Sequence, residues 1–169
     1  MRFSTLVIVS PKMLHGNVQP ELENIMSHHL DYNLDSYHID EDFITLHDGR
    51  KCGYARARDV FFGATQEEME NYINFWDDFL EPTAKDIVDS DPSPEQIIDY
   101  RVNFPTKNDF VSWMSSFHTY AVVLDTSWLT QDILYKNHPQ GLLMWLKWYQ
   151  DKIKYLDPDS WIVVLECHI

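Results

Sequence analysis

Two segments at opposite ends of the chain constrain its fold most. Thr5 to Val9 reads TLVIV and Trp161 to Leu165 reads WIVVL, both rich in β-branched residues and both without polar alternation. A strand that is apolar on both sides needs cover on both faces, which predicts a central place for the first strand in a sheet that also contains the last. The first run ends at Ser10-Pro11 without a small-residue cleavage site, so it reads as a strand and not as a signal peptide. No apolar run approaches the roughly 20 residues that span a bilayer, and a membrane protein is excluded on that ground.

Between these ends the pattern is mostly helical. Val18, Leu22, Ile25, Met26 and His29 recur at helical spacing over residues 18–30, with Pro20 tolerated in the first turn. Residues 43–47 and 50–55 flank Asp48-Gly49, a dipeptide suited to the positive φ angles of a tight hairpin. Thr65 and Glu68 form a capping box before a stripe of Met69, Tyr72, Ile73, Trp76, Phe79 and Leu80 that must stop before Pro82. The polar, proline-bearing stretch 83–94 reads as a surface connection. Ser93, Pro94 and Gln96 then start a helix ending near Val102, and Thr106 caps another through Phe117. Residues 120–124 and 128–130 are predicted strands across a turn, and Leu142 to Leu156 carry the strongest amphipathic pattern before a closing strand. The predicted fold is one domain over residues 1–169, of α+β class (mixed α/β layers). A central mixed sheet contains both terminal strands, with helices packed against it.

Cys52 and Cys167 lie far apart with no C-x-x-C spacing, which argues against a disulfide framework or structural zinc and for a reducing, intracellular home. Thirteen Lys and Arg against 27 Asp and Glu leave a net charge of −14, spread along the chain. Such a surface repels phosphate backbones, so direct nucleic-acid binding is disfavoured and basic protein partners are favoured. The one basic concentration, GRKCGYARAR with Arg50, Lys51, Arg56 and Arg58, reads as counter-charge to the surrounding acids.

Candidate chemistry is sparse. On a strand, Cys167 and His168 point to opposite faces and cannot serve one site. Cys167 reads as a packed small hydrophobe, whereas Glu166 and His168 share a face and are the catalytic candidates, with His118 or His47 as further imidazoles. Arg56 and Arg58 are candidates for holding a phosphate, and Trp148, off the stripe of its helix beside Lys147 and Lys152, for an exposed aromatic contact. His28, His29 and His38 lie among Asp31, Asp35, Asp40, Glu41 and Asp42 without a specific metal-ligand spacing. They are metal candidates, but an acidic surface loop is favoured and neither metal nor cofactor is expected. Glycine-rich phosphate loops, nucleophile elbows and paired H-x-T motifs are absent.

The opening FSTLVIV, the segment TYAVVLDTSW and the closing LDPDSWIVVLECHI resemble a family of uncharacterised tailed-bacteriophage proteins. Those proteins open on an F-S/T-x-L-V-I strand, carry a YAVV-D-x-W-like hairpin and finish on a VVDCHI-like strand. Many carry a Trp-rich WDW and GGRW stretch in the middle, where this chain has NFWDDFLEP around Trp76. The resemblance implies a phage accessory protein acting in the cytoplasm of a bacterial host. Two functional expectations follow. The first is a non-enzymatic binder that interferes with a host or defence protein through its acidic surface, or sequesters a small nucleotide ligand in a pocket of aromatic and Arg residues. The second is a small nucleotide or phosphoester hydrolase built on His168 and Glu166. A homo-oligomer is compatible with either.

Overall fold

The computed structural model describes residues 1–13, 17–30, 34–81 and 93–169. The chain opens with strand β1 (Arg2–Val9) and helix α1 (Val18–Met26), then β2 (Ser36–Ile39), β3 (Ile44–Thr45), β4 (Lys51–Cys52) and β5 (Tyr54–Arg56). Helices α2 (Gln66–Phe75), α3 (Pro94–Asn103) and α4 (Lys107–Ser115) follow. Strands β6 (Ala121–Leu124) and β7 (Ser127–Thr130), helices α5 (Gln131–Tyr135) and α6 (Gly141–Lys154) and strand β8 (Trp161–His168) complete the chain.

The main sheet runs β2-β8-β1-β6-β7, and β5 pairs with the half of β8 that β2 leaves open. β1 is parallel to β6, and the other pairings in this sheet are antiparallel, so the fold is α+β with a mixed sheet. Both terminal strands lie inside it, as their unbroken apolar character requires. They pair along their whole length, from Arg2 opposite His168 to Val9 opposite Trp161.

Alternation divides the sheet into two apolar faces. Val7, Val9, Val163, Leu165 and Cys167 pack under Val18, Leu22, Ile25 and Met26 of α1. On the other face Leu6, Val122, Ile162 and Val164 meet Trp145 and Tyr149 of α6 together with Ile44 and Val60. A third cluster joins α2, α3 and α4 through Trp76, Leu80, Ile97, Phe104 and Phe110, and Trp113 and Leu143 connect with its edge. Among the described residues no helix is long and apolar enough to cross a membrane.

The local start signals act as their chemistry dictates. Thr65 and Glu68 form a reciprocal capping box, and so do Ser93 and Gln96 with Pro94 in the first turn. α2 passes into a single π-helical segment, Trp76–Leu80, whose wider turn carries Trp76 and Leu80 into the third cluster.

Four predicted features differ. The first helix stops at Met26, and Ser27 to His29 form a turn. The hairpin forms, but its loop is His47-Asp48-Gly49. Leu46 N–H donates to Arg50 O at 2.9 Å, and only Gly49, at φ 86°, takes the left-handed conformation. That is the three-residue loop with a glycine bulge and not a two-residue turn. β2 and α5 are additional elements. β2 alternates polar and half-buried residues among acids, and α5 is five residues long with Thr130 as its cap, so neither leaves a sustained periodic signal. The connection over 83–94 lies almost wholly outside the described residues, as does Asp31.

Candidate functional site

Strand alternation puts Glu166 and His168 on the same sheet face as Val164 and Ile162, but beyond the end of the apolar cover. The register then sets their neighbours. His38 of β2 lies directly opposite Glu166, Ser4 of β1 lies opposite it on the other side, and Arg2 is opposite His168. His168 Nε2 stands 3.3 Å from Glu166 Oε1, and Arg2 Nε is 3.5 Å from the same oxygen. The His38 and His168 rings are 6.0 Å apart. Glu166 and His168 are partly exposed at this polar end of the sheet.

Cys167 faces the other way, fully buried against α1. Burial pushes its thiol up to about 11, so it remains an un-ionised packing residue as expected.

Ser4 also lines a cleft of about 670 Å³ between this face and the helices, a volume within the range of small-molecule sites. Its walls are aromatic: Phe43, Tyr72, Trp113, Phe117, Tyr120 and Trp145. The polar groups among them are Gln131, Thr119, Ser116 and His118, and no Lys, Arg, Asp or Glu lines the cleft among the described residues.

The floor is hydrogen-bonded within the protein. Thr119 Oγ1 donates to Ala121 O at 2.7 Å and accepts from the Tyr149 hydroxyl at 3.0 Å, and Trp145 Nε1 donates to Thr119 O at 3.3 Å. Burial raises the Tyr149 phenol well above its ordinary value. These residues give the cleft a rigid base.

His118 supplies an imidazole to the wall. Its ring packs on Trp113 with centroids 4.1 Å apart, and Nδ1 lies 2.9 Å from Ser116 O. A carbonyl only accepts, so Nδ1 carries the proton. Burial lowers the pKa of the imidazole, opposed by the Ser116 hydrogen bond. Near pH 7 the ring is therefore neutral and Nε2 is a hydrogen-bond acceptor.

The remaining candidates are dispersed. His118 and His47 do not join Glu166 and His168: His118 belongs to the cleft, and His47 sits at the hairpin loop with its ring 6.3 Å from Phe61. Arg56 is opposite Trp161, at the far end of β8 from His168, roughly 23 Å away at the rise of an extended strand. Its guanidinium lies 4.4 Å over the Trp161 ring and donates to Asp159 O, while Arg58 is ion-paired with the Asp159 carboxylate. Neither arginine is available to the sheet-end site. His47 and Arg56 do share a hollow of about 370 Å³ with Arg50, Asp48 and Asp59.

Trp148 is not an exposed aromatic. It stacks on Trp145 at 5.0 Å and packs against the core, with Lys152 Nζ 5.5 Å from its ring. The three histidines proposed for metal also separate. His28 is exposed, with Nδ1 2.9 Å from Asn24 O, His29 is buried against Trp128, and His38 alone reaches Glu166 and His168. Burial, with His28 beside it, lowers the pKa of His29. The cleft itself carries no motif, since its wall comes from six separated segments. Comparison of the chain with protein-family models, curated proteins and solved structures finds no match.

Proposed function

We propose that this chain acts by binding a small, neutral, planar heterocycle of the nucleobase or nucleoside class in the His118 cleft. The observation that carries this reading is an aromatic-walled cleft whose imidazole, His118, is held neutral with Nδ1 engaged and Nε2 left to accept. Aromatic walls stack on a planar ring, Nε2 accepts from a ring N–H, and the Gln131 amide offers one donor and one acceptor group. A pocket for an intact nucleotide would bring arginine to the phosphate, whereas this wall has no cation among the described residues and the chain carries a net charge of −14. The base or nucleoside is therefore the favoured ligand. In the phage setting that the sequence resemblance implies, sequestering a small base-bearing molecule is the role such a cleft supports.

The test is a fluorescence titration, using the tryptophans of the wall, with adenosine, guanosine, cytidine and uridine and with the matching 5′-monophosphates. Saturable quenching by a nucleoside is expected, weaker with its monophosphate and at least about tenfold weaker in His118→Ala, the cost of losing a good buried hydrogen bond. Absence of saturation with every nucleoside, or binding unchanged in His118→Ala, overturns the reading.

A further inference from the structure

The structure assigns a second site: we infer that His38, Glu166 and His168 bind a divalent transition-metal ion of the Zn²⁺ type. Each offers one ligand atom, and the three atoms lie within 4.8 Å of one another, the one such group of histidine, cysteine or carboxylate ligands among the described residues. One edge of the triangle is already formed. The 3.3 Å between His168 Nε2 and Glu166 Oε1 matches the separation of about 3.3 Å between two ligands each about 2.0–2.1 Å from a tetrahedral zinc. His38 closes the triangle by a side-chain rotation, which its exposed position on β2 permits.

The chemistry of the set selects the ion. Two imidazoles and one carboxylate suit Zn²⁺, Co²⁺ or Fe²⁺, whereas Mg²⁺ and Ca²⁺ require oxygen ligands. The ring nitrogens of His38 have no hydrogen-bond partner among the described residues. Oε1 of Glu166, 3.3 Å from His168 Nε2 and 3.5 Å from Arg2 Nε, is the oxygen that a shared ion would take. The side chain of Arg2 is 75% exposed and swings into solvent when a cation takes its place. The scaffold is rigid, because the three residues occupy adjacent register positions on two hydrogen-bonded strands of the main sheet. Three protein ligands leave at least one coordination position open to water or to a bound molecule. The net charge of −14 draws cations to the surface.

The experiment is a Co²⁺ titration of tag-free protein followed by visible absorption, then back-titration with Zn²⁺. One equivalent of Co²⁺ producing ligand-field bands that Zn²⁺ abolishes is expected. His38→Ala and His168→Ala should each weaken binding by at least about tenfold, since even loss of an outer partner costs that much. His28→Ala, exposed and outside the ligand group, and His118→Ala in the cleft should leave the bands unchanged, which separates this site from the ligand cleft. Absence of bands at millimolar Co²⁺, or bands that survive both ligand substitutions, overturns the inference. His38 is exposed, so His38→Ala alone decides the matter if His168→Ala does not fold.

Discussion

His118 and Cys167 illustrate how burial decides what a titratable side chain can do. Both have pKa values moved toward the neutral form by desolvation, yet one lines a cleft with a free acceptor and the other is enclosed among Val163, Leu165 and the residues of α1. The His118 shift has a consequence for stability. The unfolded chain holds this imidazole at its ordinary value near 6.5, whereas the folded chain binds the proton more weakly. Above pH 6.5 both states are neutral and nothing is lost. As pH falls below 6.5 the unfolded state takes up the proton first, and stability drops until the pH passes below the folded-state pKa. Thermal melts between pH 7.5 and 5.5 should show Tm falling across this window, and falling less in His118→Gln. An identical slope in the variant would show that His118 does not couple to folding. Cys167 was legible as a core residue from strand alternation alone. The surroundings of His118 were not, because its neighbour Trp113 is placed by the packing of α4 against α2 and α6.

At the scale of elements, the sites depend on where short strands are held. Val164 N–H donates to Gly53 O at 2.9 Å, and Gly53 leads directly into β5 where β2 ends. A Cβ on Gly53 would meet Ile39 Cγ2 at 2.1 Å and Asp40 O at 3.2 Å. Ile39 is β-branched and cannot swing clear, so backbone must move. Gly53→Ala should cost roughly 1–3 kcal/mol, the usual cost of overpacking, lowering Tm by several degrees. It should also weaken Co²⁺ binding, since β2 carries His38. An unchanged Tm would mean that the strands part more freely than their hydrogen bonds indicate. The long elements were readable because capping residues and apolar stripes act locally: Thr65 with Glu68 and Ser93 with Gln96 start helices where the chemistry places them. β2 was not readable, since a four-residue strand whose outward side chains are polar becomes a strand only when β8 offers its edge.

The whole molecule is organised around β8, the strand that pairs with β1, β2 and β5. Ile162, Val163, Val164 and Leu165 are fully buried, and each such side chain contributes roughly 1.5–3 kcal/mol. Four of them match much of the roughly 5–15 kcal/mol that holds a whole domain folded. Removing residues 161–169 should therefore abolish the cooperative urea transition seen by circular dichroism, and a retained transition would disprove the central role of β8. Because β1 pairs with β8 across the full chain, that contact closes the longest loop available. Folding should accordingly be slow for a chain of this size.

Composition and local pattern determined the longer helices and the strand character of both terminal segments, because hydrophobic period and capping act over a few residues. They also determined the faces of Glu166, His168 and Cys167, since alternation along a strand needs no partner. Only the tertiary structure decided that His38, and not His118 or His47, stands beside Glu166, that Arg56 and Arg58 lie at the other end of β8, and that Trp148 is stacked into the core. Those outcomes follow from strand order and register. Register is set by the summed burial of whole strands against their neighbours, a property that no local stretch of residues contains.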